Sequence, residues 1–189
     1  MNNKLRKVAN KKQVTFTFVD ASNIIYGTRN EGWKVDFKRL FKYLKERYNS
    51  KKVYYFAGFD EKNIKQKKFY AVLKKFGFDL ILKPVKIYKQ PDGTSVRKAN
   101  CDVDLTFYAM RDKDDFDRGI FLTGDGDFVI LFDYLIKQSK KVVVIANARR
   151  TAREIKQLKG IEFNDLFVLK KAIGRNKKVK GNKNGRRSK

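Results

Sequence analysis

Apolar positions along the chain follow two alternating rhythms. Short runs of β-branched and aromatic residues occur at 14–19 (VTFTFV), 51–59 (KKVYYFAGF), 78–85 (FDLILKPV), 118–123 (RGIFLT) and 141–147 (KVVVIAN). Their length and composition predict strands. Between them, apolar residues recur every three or four positions. In WKVDFKRLFKYLKERY, Phe37, Leu40, Phe41 and Leu44 share one helical face, and Asp36 suits the N-cap. Residues 61–76 put Ile64, Phe69, Val72, Leu73 and Phe76 on one side of a second helix, which Gly77 closes. The same spacing predicts helices over 102–112, 128–138 and 151–159, and IEFNDL at 161–166 is a candidate last strand. Residues after Asp20, including Tyr26 and Trp33, read as a loop. Pro-Asp-Gly at 91–93 is a turn signal between two short extended arms, so 86–97 reads as a hairpin or an excursion.

Strands alternating with helices predict an α/β domain with a mainly parallel sheet. The runs at 14–19, 118–123 and 141–147 are nearly continuous in apolar character, as strands covered on both faces must be. Right-handed crossovers then favour the strand order 3-2-1-4-5. In that order the first and fourth strands are neighbours, and ligands bind beyond their C-terminal ends, where the chain reverses direction across the sheet.

That edge gathers acids from distant segments. Asp20 ends the first strand, Asp125 and Asp127 follow the fourth in LTGDGDF, and Asp102 and Asp104 open the helix leading into it. Each also has an ordinary reading. Asp20 suits a turn with Ser22 or Asn23, Asp127 an N-cap for the next helix, and Asp102 or Asp104 a cap that favours its helix dipole. Asp125 is harder to account for so, because Gly124 and Gly126 already bend the chain. Carboxylates brought together repel, and a hard divalent cation, Mg²⁺ or Mn²⁺, resolves the conflict with oxygen ligands alone. Such an ion can activate water against a phosphodiester. The acidic run DKDDFD at 112–117 falls at the opposite edge and reads as a solvated connection.

Charge changes the picture of the partner. The 189 residues carry a net charge of +26, with 42% hydrophobic content. Residues 1–12 hold five Lys/Arg and no acid, and residues 170–189 hold ten and no acid. The body, 13–169, still has 31 bases against 20 acids. One domain over 13–169 with a basic N-terminal arm (1–12) and a basic, disordered tail (170–189) is expected. A body this basic points to a polyanion, most simply nucleic acid, although lysine-rich solubility would give the same count.

Composition also excludes. There is no histidine and one cysteine, Cys101. Structural zinc and histidine-dependent nucleophiles are therefore out, and a reducing, cytoplasmic setting is expected. No apolar run approaches the roughly 18 residues of a membrane span, and no signal peptide is evident. Ser22 stands where a doubly wound phosphotransferase would need a second aspartate, and no Walker-type loop occurs.

Three motifs together, VDASNI at 19–24, KANCDVDL at 98–105 and LTGDGDF at 122–128, resemble the NYN domain family in its LabA/DUF88-like branch. This is a PIN-like group of metal-dependent ribonucleases. The resemblance covers roughly residues 14–169 and implies a PIN-like three-layer α/β/α sandwich with acids around Mg²⁺ or Mn²⁺. It implies that Asp20 is the first-strand metal acid with Asn23 as its D-x-x-N partner. Asp102 matches the acid of the central K-x-x-x-D segment and Lys98 its lysine. Asp125 and Asp127 match the pair of the last motif and Thr123 its hydroxyl. Asp104 falls at a variable second acidic position.

The same edge holds candidates for gripping substrate: Arg149 and Arg150 after the fifth strand, and Arg97 and Lys98 before Asp102. Tyr26 is placed to stack on an unpaired base, and Trp33 either stacks or staples the following helix. The leading expectation is a metal-dependent nuclease acting on RNA. The alternative is a PIN-like nucleic-acid-binding module without turnover. A homodimer is one possible assembly.

Overall fold

The computed structural model describes residues 13–176, with the side chains of residues 87 and 96–98 outside the described set. A six-stranded parallel sheet runs through its centre. Its strands are β1 (Thr15–Asp20), β2 (Ser50–Phe59), β3 (Asp79–Pro84), β6 (Arg118–Leu122), β7 (Lys141–Ala146) and β8 (Ile161–Asp165). The spatial order is β3-β2-β1-β6-β7-β8. The expected 3-2-1-4-5 order is present, and IEFNDL adds a sixth strand beside β7. The hairpin is also found, as antiparallel β4 (Lys86–Lys89) and β5 (Ser95–Lys98) outside the main sheet.

Strand alternation sorts the side chains into two cores. Phe16 and Phe18 of β1, Tyr54 and Phe56 of β2, and Val142 and Val144 of β7 face one side. There they meet Leu105 and Ala109 of α4 (Asp102–Arg111) and Leu131, Phe132 and Leu135 of α5 (Val129–Lys137). Ile155 of the short α6 (Arg153–Gln157) joins the same cluster. Val19, Tyr55, Ile120 and Ile145 face the other side, against Ile24 of α1 (Ala21–Asn30), Leu40 and Leu44 of α2 (Phe37–Tyr48) and Leu73 of α3 (Ile64–Phe76). The molecule is the PIN-like α/β/α sandwich. Phe18 stacks on Phe121 with ring centroids 4.9 Å apart, in the middle of the first core. Truncating such a fully buried ring costs about 3–5 kcal/mol.

Helix ends follow the predicted caps. The Asp36 carboxylate accepts the backbone N–H groups of Lys38 and Arg39 at 3.0 and 3.2 Å, and Gly77 ends α3 at φ 104°. Such a φ is reached without strain only by glycine.

Two readings need correction, and the alternatives for Trp33 are decided. The segment after Asp20 is a ten-residue helix, α1, and not a loop. Its Ser, Asn, Gly and Thr residues are poor helix formers, but burial of Ala21, Ile24, Gly27 and Thr28 outweighs propensity. Trp33, 8% exposed, packs in the core and is unavailable for stacking on a base. The acidic connection is only partly solvated: Asp112 is 5% exposed, and its carboxylate accepts the Tyr54 hydroxyl at 2.5 Å and the Arg111 Nε–H at 2.7 Å. The Arg111 guanidinium holds the Asp112 carboxyl below the usual carboxylate range.

The fold also continues past residue 169. A short turn of helix, α7 (Lys170–Ile173), buries Ile173 against the core, and Gly174 forms a β-bridge with Val35. Arg39 of α2 donates to the Gly174 carbonyl at 2.8 Å. Residues 1–12 and 177–189, the remainder of the expected arm and tail, lie outside the described residues.

Candidate functional site

Register sets the site. Val19 pairs with Leu122, so β1 and β6 end level with each other. Asp20 is both the last residue of β1 and the N-cap of α1. Its Oδ1 accepts the Asn23 N–H at 3.1 Å, and its Oδ2 accepts the Thr123 hydroxyl at 3.2 Å. Burial pushes the Asp20 carboxyl above its ordinary pKa, and the nearby Asp102 adds to this, while the two hydrogen bonds pull the other way.

Two side chains stitch the β1 and β6 loops together. Thr123, fully buried, donates to Asp20, and its oxygen also accepts the Asp125 N–H at 3.3 Å. Asn23 accepts the Gly124 N–H on its Oδ1 at 3.1 Å. Gly124 is needed for closeness: a Cβ there would lie 2.7 Å from Thr151 Oγ1 and 3.1 Å from Thr151 Cα. The loop after β7 is thus pressed against the loop after β6.

Asp125 caps a one-turn 3₁₀ helix at Gly126–Phe128, its Oδ1 accepting the Asp127 N–H at 3.0 Å. Asp102 opens α4, its N–H donating to Asn100 Oδ1 at 2.8 Å. The geometry brings a carboxylate oxygen from each of Asp102, Asp125 and Asp127 within 4.8 Å of the others. The Asp102 carboxyl is pushed up by burial and by Asp125, with a smaller push from Asp127; Asn100 and Lys83 act the other way.

These residues suit a hard divalent cation. An octahedral ion with oxygens at about 2.0–2.1 Å needs cis oxygens about 3 Å apart and trans oxygens about 4 Å apart. The three carboxylates, with oxygens within 4.8 Å of one another, lie close to that spacing, and none of the three is fully buried. All the donors are oxygens, as Mg²⁺ and Mn²⁺ prefer. Asp20 stands beside this triple, on the same cleft of about 560 Å³ as Asp102 and Asp125.

The other expected residues divide. Tyr26 and Arg150 line the cleft, and Tyr26 is 61% exposed. Arg149 is exposed, with its guanidinium 3.9 Å from Glu31. Asp104 is not in the acidic group: it bonds Lys83 Nζ at 2.7 Å and ties α4 to β3. Residues two apart on a helix point about 200° apart, so Asp102 and Asp104 cannot face the same ion. Arg97 and Lys98 lie on β5, with side chains outside the described set.

Sequence reasoning missed Asn147, a buried residue lining the cleft just past β7. It donates to the Gly27 carbonyl and to Glu31 Oε1, each at 3.2 Å, and accepts the Arg149 N–H at 2.9 Å. Its place just past the C-terminal end of an interior strand was the available signal. Burial and the neighbouring Asp104 push the Cys101 thiol up to about 11, so it stays protonated at neutral pH and is no nucleophile.

Comparison with known proteins bears on the family and the fold. The NYN domain family model matches residues 15–165. The Low amplitude and bright protein LabA of Synechococcus elongatus is 24% identical over 155 residues, 79% of this chain and 83% of LabA. The crystal structure of a Vibrio parahaemolyticus protein of unknown function superposes with a TM-score of 0.68 at 26% identity, over 83% of this chain and 96% of that one. Among the described residues, no helix is long and apolar enough to cross a membrane.

Proposed function

The chain belongs to the NYN domain family, and from that premise we propose that it is a divalent-cation-dependent ribonuclease that hydrolyses RNA phosphodiester bonds in the acidic cleft. The observation that carries this reading is the convergence of Asp102, Asp125 and Asp127, from two separate segments, within 4.8 Å in a protein of net charge +26. In a chain with so many bases to pair with, three carboxylates set against one another are unfavourable until a cation joins them.

Asp102, Asp125 and Asp127 would hold the cation, which when bound supplies positive charge against the phosphate and acidifies water. Asp20 is the carboxylate suited to accept a proton from the attacking water. Its pKa is already raised, and Asn23 and Thr123 fix its orientation. Thr123 couples the positions of Asp20 and Asp125 through one hydroxyl. Arg150 and Tyr26, on the wall of the cleft, would meet the phosphate and an unpaired base of the strand.

The test is cleavage of end-labelled RNA and DNA oligomers by wild type and Asp125→Asn, with Mn²⁺, Mg²⁺ or chelator. RNA cleavage should require the cation and fall about 100-fold or more in the variant. Equal cleavage by matched preparations of both proteins sinks the assignment. Cation-independent RNA binding with no cleavage by either would instead make the domain a binding module.

A further inference from the structure

A second cavity, of about 480 Å³, lies on the other flank of α1. It shares Ser22 and Tyr26 with the acidic cleft, so α1 is the wall between the two. Ile25, Phe37 and Phe69 give it an apolar, aromatic lining. Arg29, Lys34 and Arg175 stand exposed around it, and no carboxylate lines it among the described residues.

Tyr55 also lines this cavity. It is fully buried, and its hydroxyl has no hydrogen-bond partner among the described residues. The polar groups around it are engaged with the protein. The Tyr70 hydroxyl donates to the Gly58 carbonyl at 2.5 Å, and the Gln66 amide bonds the backbone of Gly58 and Asp60 at 2.9 and 2.7 Å. A buried hydroxyl without a partner costs stability, so its retention calls for a ligand that completes the bond.

That ligand needs a flat apolar face, a polar edge and an attached anion. An unpaired nucleobase with its phosphate has all three. We infer that this cavity is a nucleobase subsite for the substrate strand. One unpaired base lies in it, a small opening of the cavity floor brings the base edge onto the Tyr55 hydroxyl, and Arg29, Lys34 and Arg175 meet its phosphate. The strand passes over Tyr26 from one side of α1 to the other. This inference rests on reading the acidic cleft as the place where the strand is cut. In sequence, Arg175 and Asn176 are followed by residues 177–189, seven of which are Lys or Arg.

The test is fluorescence anisotropy of labelled single-stranded RNA in chelator, where nothing is cleaved. The full-length wild type is compared with Tyr55→Phe and with Arg29→Gln/Lys34→Gln. One abasic nucleotide is moved through each position of the oligomer. Tyr55→Phe keeps the ring and removes the orphan hydroxyl, so it should raise the Tm yet weaken binding about 5- to 10-fold. That loss should vanish at one abasic position, where wild type already binds poorly. The double variant should weaken every oligomer and lower the salt slope by about 1–2.

Binding by Tyr55→Phe equal to wild type overturns the inference, as does a penalty that no abasic position removes. If deleting residues 177–189 tightens binding of adenosine or uridine monophosphate, the tail itself occupies the cavity and the inference fails. Absence of cleavage by the wild type in Mn²⁺ would overturn the nuclease reading while leaving these binding results to stand on their own.

Discussion

Replacing Asp125 with asparagine should stabilise the cation-free protein while abolishing its response to cation. The carboxylates of Asp102, Asp125 and Asp127 lie within 4.8 Å of one another. Two unit charges at that separation repel by about 0.9 kcal/mol in bulk water and about 3.5 kcal/mol at an effective dielectric of 20. Asp127 is exposed and Asp102 and Asp125 are half-buried, so the relief on removing one charge should be about 1–3 kcal/mol. Asparagine preserves the carbonyl-type oxygen that accepts the Asp127 N–H, so the turn keeps its cap. For a domain of this size each kcal/mol moves Tm by about 2–4 °C. Differential scanning fluorimetry in chelator should therefore place Asp125→Asn roughly 2–12 °C above wild type. Adding Mn²⁺ at about 100 times its Kd should stabilise wild type by about 2.7 kcal/mol and do much less for the variant. A lower Tm for Asp125→Asn in chelator, or an equal Mn²⁺ shift in both proteins, would refute the reasoning.

Thr123→Val removes the hydroxyl shared by Asp20 and Asp125 at nearly constant volume. Cleavage should fall about 10- to 100-fold, mainly in kcat, and Thr123→Ser should restore most of it. Gly124→Ala forces a Cβ to within 2.7 Å of Thr151 Oγ1 and 3.1 Å of its Cα. Denaturant unfolding should show a loss of about 1–3 kcal/mol, with cation affinity reduced as the 123–125 loop shifts. Asp112 has a carboxyl pKa depressed by Arg111, so its stabilising effect is full above the ordinary carboxylate value. That effect is lost as pH falls through the lowered folded value. The stability gap between wild type and Asp112→Asn should therefore be constant near neutrality and close in acid, as read from Tm against pH.

Much of this molecule is legible in its sequence. The continuous apolar run at 14–19 and the helical spacing at Leu40 and Leu44 identify their elements, because burial on both faces of a sheet leaves an unbroken run and burial of a helix stripe leaves a period in the chain. Right-handed crossovers then make β1 and β6 neighbours, and the acids at their C-terminal ends become neighbours with them. The caps at Asp36 and Gly77 are local chemistry, and local chemistry is visible locally.

Other features depended on contacts between residues far apart in the chain. α1 is helical although Ser22, Asn23, Gly27 and Thr28 disfavour it, because Ile24 gains a place in the core. Asp102 faces the acidic group and Asp104 faces Lys83, because Leu105 and Ala109 pack on the sheet and thereby set the rotation of α4. Asp112 looked like one acid in a solvated run until Tyr54, 58 residues away, was seen to reach it. The unpartnered hydroxyl of Tyr55 has no signature in sequence, since a missing bond is defined only once every neighbour is in place. Periodicity, caps and chain order are properties of the polypeptide itself. Side-chain direction and hydrogen-bond completion belong to the packed molecule, because they arise from distances between segments that the chain brings together only on folding.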